Sequence, residues 1–240
     1  MTFYQSTGIS QIDSVYTESS SRIWRRLFNR QLKALEGRAC QEFIDGIQQL
    51  KSLIQDIPNI EALSMDLYKL AGWKIYPVSG LVESKEYFNL LANKYFPVAT
   101  FLRSSDNLDY SPLPDMWHDV FGHIPLLLSP VYRDFIEYIS LKTITANERE
   151  KEKLSTIYWY TIEAGVCLEN GEHRVYGASQ LSSFEEIIYA VSDQPNVVPF
   201  TLKKVCNTLV NIHELQQTFF EIPSFNYLGA IKYELEELIK

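Results

Sequence analysis

Two histidines and one glutamate have the residue types and spacing that could bind a metal ion. His118 and His123 lie five residues apart in YSPLPDMWHDVFGH (110–123), and Glu163 lies 40 residues after the second histidine in YWYTIEAGVC (158–167). Burying an ionised carboxylate in so apolar a segment is costly unless it is paired or bound to a metal. Two imidazoles and one carboxylate form the facial triad, which holds a non-haem Fe(II) ion and leaves positions open for oxygen chemistry.

The spacing of the two histidines does not suit a regular α-helix. At about 100° per residue, side chains five positions apart project about 140° away from each other, so they would not face one metal ion. We therefore expect an irregular helix that begins near Asp115 and is distorted, or ends, near Gly122. Pro112 and Pro114 precede this helix, which fits because proline is tolerated before and within the first turn.

The residues alone leave other interpretations open. The two histidines could instead cap or pack inside an ordinary core helix. Imidazole and carboxylate also suit zinc, so a zinc-dependent hydrolase with the same three ligands is an alternative, although the helical H-E-x-x-H pattern is absent. A helical binding protein with a structural metal, or with none, is a third interpretation. A structural zinc site usually has four protein ligands, and the sequence offers only three.

Further segments resemble one enzyme family in the same order and at the same spacing. PDMWHDVFGHIPLL and STIYWYTIEAGVC are similar to the iron-binding motifs of the pterin-dependent aromatic amino acid hydroxylases. The other similar segments are GWKIYPVSGLVESKEYFNLLANKYFPVATFLR (72–103), VYGASQLSSFEEI (175–187) and PSFNYL (223–228). The resemblance covers nearly the whole catalytic domain of that family. It implies a mainly α fold with short β-hairpin and strand elements.

The resemblance implies an oxidoreductase that uses Fe(II), a tetrahydropterin cosubstrate and O₂ to hydroxylate the ring of an aromatic amino acid. His118, His123 and Glu163 would be its iron ligands and catalytic residues. The protein itself would orient ring, pterin and metal in a pocket that excludes water. The bacterial members that convert L-phenylalanine to L-tyrosine are the branch that the sequence resembles most.

The resemblance also implies where the amino-acid substrate binds. Arg103 occupies the position of the arginine that binds the substrate carboxylate, which a guanidinium group matches with two parallel hydrogen bonds. Asp115 would hold this arginine in place. Ser182 would lie near the substrate and would also orient a histidine ligand. The tryptophan and proline that would pack on the ring, and a further serine near the substrate, are Trp159, Pro114 and Ser111.

For the pterin, the resemblance implies one aromatic platform and a stretch of hydrogen-bonding backbone. Tyr87, where the family usually has Phe, would stack on the bicyclic ring, and the backbone of Leu81–Ser84 would bond to its edge. Asp119 stands where the family usually has Glu, so the shorter carboxylate would reach the pterin through water or not at all. The complete set of pterin positions is Gly80, Leu81, Val82, Ser84, Tyr87, Asp119 and Tyr158.

Several positions depart from the family pattern or separate its branches. Ala164 replaces a usual Phe directly after the ligand Glu, which should enlarge the pocket. Pro97 replaces a usual His, and Ser179 replaces a Gly in YGAGLLSS-like runs. Trp159 and Ile212 favour the phenylalanine branch over the tryptophan and tyrosine branches. The larger pocket keeps two alternatives open, namely tryptophan as the substrate and 3-hydroxylation of phenylalanine in specialised metabolism.

Length and composition suit a single catalytic domain over residues 1–240, with a loose, polar segment at 1–17. The 22 basic and 30 acidic residues give a net charge of −8, which argues against a nucleic-acid surface. No apolar run reaches the roughly 18 residues that span a bilayer, and no signal peptide is recognisable. Three widely spaced cysteines indicate a reducing compartment. We therefore expect a cytoplasmic monomer that binds only small molecules.

The apolar periodicity predicts the elements that must position these residues. Residues 73–78 have strand character, and LENGEHRVYG (168–177) reads as a β-hairpin with a two-residue Asn170-Gly171 turn. The segment 200–222 is ambiguous between helix and strand. Helices are predicted at about 17–37, 39–55, 60–70, from Ser84 onwards, and at about 129–141, 147–168, 182–192 and 225–240.

Overall fold

The computed structural model describes residues 16–109, 111, 113–211 and 214–238. Some predictions lie outside these residues. They are most of the loose N-terminal segment, the role of Pro112 before the irregular helix, the branch assignment from Ile212, and the last two residues of the final helix. Within the described ranges, no helix combines the length and apolarity needed to cross a membrane.

Three amphipathic helices open the described chain. They are α1 (Glu18–Leu35), α2 (Gln41–Ile54) and α3 (Ile60–Ala71), and each was predicted to within a few residues. Helix α1 begins at Thr17, whose side chain accepts a hydrogen bond from the backbone N–H of Ser20 in a capping box. Each helix turns its apolar face towards the core, which stabilises it more than local propensity does.

A parallel strand pair follows and supports one side of the site. Strands β1 (Lys74–Val78) and β2 (Tyr95–Ala99) pair in parallel and are joined by helix α4 (Ser84–Ala92). The predicted strand, helix and extended piece are therefore all present. Five of the seven predicted pterin positions lie here, three in the loop between β1 and α4 and two in α4.

The segments that carry the predicted ligands are π-helical rather than α-helical. The first π-turn is His118–His123, and the second π-turn is Trp159–Glu163. Between them lie helices α5 (Pro130–Thr145) and α6 (Glu148–Tyr158). The predicted helix at 147–168 is wrong in its last five residues, because the helical structure ends at Glu163. A Cβ atom on Gly165 would lie 2.1 Å from the carbonyl oxygen of Thr161, so the chain turns away there into the sheet.

The predicted β-hairpin is confirmed. Strands β3 (Val166–Glu169) and β4 (Glu172–Val175) pair antiparallel, and the turn residues Asn170 and Gly171 have φ angles of 54° and 83°. Both positive values fit a type I′ turn, which Asn-Gly favours. The later elements are α7 (Ala178–Leu181), α8 (Phe184–Ala190), β5 (Asn196–Pro199), α9 (Leu202–Cys206), β6 (Thr218–Ile222) and α10 (Leu228–Leu238). Strands β5 and β6 join the hairpin in one sheet with the order β4-β3-β6-β5.

An aromatic cluster in the core anchors the first π-turn. Phe121 lies between the two histidines in sequence and is fully buried. Its ring stacks on Trp117 at 4.2 Å between centroids and meets the edges of Phe28 and Phe43 at 5.8 and 5.9 Å. Fully burying a Phe side chain contributes about 1.5–3 kcal/mol. This packing directs Phe121 into the core and leaves the two histidines on the opposite side of the turn.

Candidate active site

The three predicted metal ligands come together. The two histidine Nε2 atoms are 3.2 Å apart, and Glu163 places Oε1 3.4 Å from His123 Nε2 and Oε2 3.5 Å from His118 Nε2. These separations leave room for one cation at about 2 Å from each of the three atoms. Two imidazole nitrogens that face each other beside a carboxylate suit a cation between them. Among the described residues this is the only such group of His, Cys, Asp or Glu.

The π-helical turn explains how histidines five residues apart can face one point. A π-turn bonds residue i to residue i+5, so residues with that spacing lie on the same side of the backbone. His118 and His123 bound the first π-turn, and their rings meet edge to face at 5.0 Å between centroids. The prediction of an irregular helix here is confirmed. Gly122 is required because a Cβ atom there would lie 2.8 Å from the carbonyl oxygen of Ala178 on α7.

The second π-turn brings Glu163 to the histidines from the opposite helix. Its backbone is closed by the hydrogen bond from Ala164 N to Trp159 O at 2.8 Å, which spans five residues. The Thr161 hydroxyl donates to the carbonyl oxygen of Ile157 at 2.6 Å. Glu163 is the last residue of this turn, so its carboxylate projects where the helix stops.

Hydrogen bonds define the tautomer of one histidine. The Nδ1 of His118 lies 3.0 Å from the Ser182 hydroxyl, which donates to the carbonyl oxygen of Ala178 at 2.8 Å. Since the serine proton is used there, Nδ1 must carry the imidazole proton and donate it to Ser182, and the Nε2 lone pair is left for a metal. The structure therefore places Ser182 where the sequence analysis expected a group that orients a histidine ligand.

Burial and mutual charge set the protonation states that metal binding requires. Burial lowers the pKa of His123 to about 4, against the opposing effect of the Glu163 charge. Burial also lowers the pKa of His118, but the hydrogen bond and charge of Glu163 outweigh it and raise that pKa. Burial raises the pKa of Glu163, and the two histidines reverse this and lower it. A neutral His123 and an ionised Glu163 are the forms that bind metals.

A buried ion pair lies beside the first π-turn. Arg103 donates from Nε and Nη2 to the two carboxylate oxygens of Asp115 at 2.9 and 2.7 Å, and from Nη1 to the carbonyl oxygen of Leu108 at 3.3 Å. Its side chain is only 6% exposed. These contacts use three of the five guanidinium N–H groups. Asp115 also accepts from the backbone N–H of His118 at 3.1 Å, so it connects the arginine to the ligand turn.

The other predicted substrate residues differ in their surroundings. Trp159 is half-buried and starts the second π-turn. Ser111 is half-buried, and its hydroxyl donates to the carbonyl oxygen of Leu113 within its own loop. Pro114 is exposed. Their roles towards a substrate stay predictions.

The predicted pterin residues include a hydrogen-bonded pair of phenols. The hydroxyls of Tyr87 and Tyr158 are 2.7 Å apart, and their rings meet edge to face at 5.9 Å. Burial raises the pKa of each phenol, and the Glu163 charge adds to this. Asp119 accepts from the backbone N–H of Ala99 at 2.7 Å, and burial raises its pKa to about 7. One carboxylate oxygen is thus used to hold the end of β2.

The neighbourhood of Glu163 contains residues to which the sequence analysis gave no role. The Ser179 hydroxyl donates to Glu163 Oε2 at 3.4 Å. Ser179 departs from the family pattern, but only the fold places its hydroxyl beside Glu163. The Tyr132 phenol is fully buried, and burial together with the Glu163 charge raises its pKa. Gln216 bonds to Trp159 from 57 residues away, and no sequence pattern signals that contact.

Comparisons with known proteins agree on one family. Residues 1–236 match the model of the biopterin-dependent aromatic amino acid hydroxylases. The chain is 37% identical over 219 residues to the phenylalanine-4-hydroxylase of Pseudomonas aeruginosa, which covers 91% of this chain and 84% of that protein. It is 40% identical over 215 residues to the phenylalanine-4-hydroxylase of Chromobacterium violaceum, covering 89% of this chain and 72% of that protein.

A solved structure of the Chromobacterium violaceum enzyme shares the fold. It superposes with a TM-score of 0.90 at 37% sequence identity, covering 96% of this chain and 85% of that one. That crystal structure contains bound iron(III) and the oxidized cofactor 7,8-dihydrobiopterin. The predicted fold, mainly α with short strands, is confirmed by this similarity.

Proposed function

Since the chain belongs to the biopterin-dependent aromatic amino acid hydroxylases, we propose that it is a monooxygenase that converts L-phenylalanine to L-tyrosine with Fe(II), a tetrahydropterin and O₂. The observation that carries this proposal is the convergence of two imidazoles and one carboxylate at separations of 3.2–3.5 Å. The phenylalanine-4-hydroxylases that match about nine-tenths of the chain support phenylalanine as the substrate. The family match gives no support to the zinc-hydrolase alternative.

The donor set fits iron, with His118, His123 and Glu163 as its three protein ligands. When bound, iron and tetrahydropterin supply the reduction of O₂ and the transfer of one oxygen atom to the aromatic ring. The protein holds the His118 imidazole in the required tautomer and keeps the three ligands in a largely buried site. Exclusion of water from such a site strengthens its electrostatic interactions and limits side reactions.

Arg103 would bind the substrate carboxylate. Its guanidinium group is already oriented by Asp115, so little side-chain entropy is lost when the substrate binds. Because Asp115 also holds the backbone of His118, the amino-acid end of the substrate is positioned relative to the metal through one carboxylate. Ser111, Pro114, Trp159 and Ser182 would complete the substrate side.

The pterin would lie against Tyr87 and Tyr158, with backbone groups of Leu81–Ser84 at its edge. The open space around Gly80, where an added Cβ would meet nothing within 4 Å, is consistent with a ligand approaching this loop. Asp119 would contribute less than the longer family Glu, since one of its oxygens holds the backbone of Ala99.

One experiment tests the proposal directly. Iron-loaded protein is incubated with O₂, tetrahydropterin and each of phenylalanine, tyrosine and tryptophan, and products are identified by mass and retention. We expect tyrosine from phenylalanine, and none without pterin or with the His118→Ala variant. A 3-hydroxylated product, or preferential hydroxylation of tryptophan, would instead support the alternatives raised by Ala164. No oxygenated product from any of the three amino acids would contradict the proposal.

We further propose that residues 1–240 form one catalytic domain that acts as a monomer in the cytoplasm. The family match over residues 1–236 supports a single domain, and the net charge of −8 favours solubility. Light scattering on the purified protein should give a mass near 27.8 kDa. A mass near twice that value would contradict the monomer.

A further inference from the structure

The indole N–H group of Trp159 donates its hydrogen bond to one side chain, that of Gln216. The distance from Trp159 Nε1 to Gln216 Oε1 is 3.0 Å. The Gln216 Nε2 donates to the carbonyl oxygen of Thr218 at 3.2 Å and lies 3.4 Å from the Tyr160 hydroxyl. Since an amide nitrogen can only donate, the Thr218 carbonyl fixes which way the amide faces and leaves Oε1 towards the indole.

The Tyr160 hydroxyl extends this network. It donates to the carbonyl oxygen of Leu209 at 3.0 Å, so its lone pair is left to accept from Gln216. The Tyr160 ring packs edge to face on Phe220 at 4.9 Å, which fixes the hydroxyl. Each side-chain group that donates in this part-buried network has an acceptor, and a fully satisfied network favours one arrangement.

Trp159 is unlike the other tryptophans of the chain. Trp24, Trp73 and Trp117 are at most 1% exposed and belong to the core, whereas Trp159 is half-buried. Its carbonyl oxygen closes the second π-turn, four residues before Glu163. The Trp159 indole is therefore partly exposed, held at its N–H group, and in the same π-turn as Glu163. It offers a flat apolar surface whose orientation relative to Glu163 is fixed.

We propose that Gln216 is a positioning residue that determines amino-acid specificity by fixing the plane of the Trp159 indole. This inference rests on the proposed function, in which the substrate ring packs on Trp159. Two aromatic rings that meet at the wrong angle lose most of the stabilisation that depends on their relative orientation. This loss corresponds to about a two- to tenfold change in the binding constant. Gln216 acts through Trp159 and touches neither metal nor substrate.

The test compares Gln216→Met, which keeps length but removes the acceptor, with Gln217→Met at the exposed neighbour. In the metal-free protein, ¹⁵N–¹H spectra should show the four tryptophan indole N–H signals, with Trp159 assigned by its loss in Trp159→Phe. We expect Gln216→Met to move the Trp159 signal and leave the other three in place. Gln217→Met should move none of them.

With iron-loaded protein, the same variants are compared in KM for phenylalanine and in the inhibition constant of tryptophan. We expect the ratio of these constants to change about two- to tenfold in Gln216→Met, with kcat and iron affinity within about twofold of the wild type. An unchanged ratio despite a moved indole signal would overturn the inference. So would equal weakening of both amino acids together with lost iron affinity.

If Gln216→Met does not fold, Tyr160→Phe provides the second test. It removes only the hydroxyl that lies between Gln216 and Leu209, so a smaller change in the same ratio is expected, and no change would overturn the inference. Failure of the proposed function is distinguishable from failure here. A wild-type protein that hydroxylates no aromatic amino acid contradicts the proposed function. An active wild type, with variants in which the ratio of KM for phenylalanine to the inhibition constant of tryptophan is unchanged, contradicts only the role of Gln216.

Discussion

The two π-turns that bring the ligands together are stabilised in different ways. In the first, polar side chains connect the turn to separate segments, because Asp115 holds the backbone of both Arg103 and His118, and Ser182 holds the His118 ring. In the second, the bond from Ser179 to Glu163 is 3.4 Å long. A bond of that length is near the limit at which a hydrogen bond contributes.

Packing takes the larger part in the second π-turn. Gly165 leaves no room for a side chain between the Thr161 carbonyl oxygen and the Tyr176 ring, and the three residues between Trp159 and Glu163 are buried. Hydrogen bonds therefore contribute more to the first turn, and close packing contributes more to the second. The His118 ring is oriented by the hydrogen bond to Ser182, whereas Ser179 gives Glu163 only a long one, and the Nδ1 of His123 has no hydrogen-bond partner among the described residues. The following predictions test this comparison.

Removing a ligand from either turn should have the largest effect. His118→Ala and Glu163→Ala should each abolish iron binding and hydroxylation, because two remaining protein ligands cannot form the facial triad. Iron content per protein and product formation measure this. Retention of stoichiometric iron in either variant would contradict the ligand assignment of that turn.

Substitution of the ion pair at the first π-turn should separate substrate binding from iron binding. Arg103→Ala removes the cation for the substrate carboxylate and should raise KM for phenylalanine by about a hundredfold, in line with roughly 2–5 kcal/mol for a buried charge pair. Its iron affinity should change little. Asp115→Ala should weaken both, because Asp115 also holds the backbone of His118. Equal loss of iron and substrate binding in Arg103→Ala would contradict the role of Arg103.

Glycine substitutions should show that the second π-turn depends more on packing. In Gly165→Ala the Cβ would lie 2.1 Å from the Thr161 carbonyl oxygen, whereas in Gly122→Ala the nearest atom is 2.8 Å away. We expect losses in the free energy of unfolding of about 3 and about 1–2 kcal/mol respectively. Urea denaturation measures this, with Gly229→Ala as the control, where nothing lies within 4 Å. The reverse order would contradict the comparison.

The metal-free protein should lose stability in acid through His123. The pKa of His123, about 4, lies below the ordinary 6.5. The stability that neutral His123 contributes to the folded state is therefore complete above about pH 6.5 and falls as the pH drops towards 4. Between pH 7.5 and 5 this amounts to about 2 kcal/mol, at ~1.4 kcal/mol per pKa unit. Urea denaturation at both pH values should show that His123→Gln removes this part of the loss. An unchanged loss in the variant would contradict the assignment.

The two serines beside the ligands should differ in effect, and Ser179 should have the smallest effect of all. Ser182→Ala removes the acceptor of the His118 imidazole proton and should weaken iron affinity about ten- to a hundredfold. Ser179→Ala removes only the 3.4 Å bond to Glu163 and should weaken it by about threefold or less. Competition with a calibrated iron chelator measures both. Equal effects would mean that the carboxylate is held as firmly as the imidazole.

Local patterns determined much of the secondary structure. The amphipathic helices α1–α3 and the Asn170-Gly171 hairpin follow from side-chain periodicity and turn chemistry, which act over a few residues. The misfit between a five-residue histidine spacing and an α-helix predicted a distortion, and the π-turn is that distortion. The helix predicted at 147–168 extended five residues too far because its end depends on Gly165, whose close contact with Tyr176, just after β4, is not visible in sequence.

By itself the sequence determined the ligand types, the family and the pairing of Arg103 with Asp115. Only the tertiary structure decided what lies around them. Ser179 on Glu163, the phenol pair of Tyr87 and Tyr158, and Gln216 on Trp159 each join residues 16 to 71 positions apart. Such contacts form only after the helices and the sheet pack, and no periodicity along the chain records which side chains will then meet.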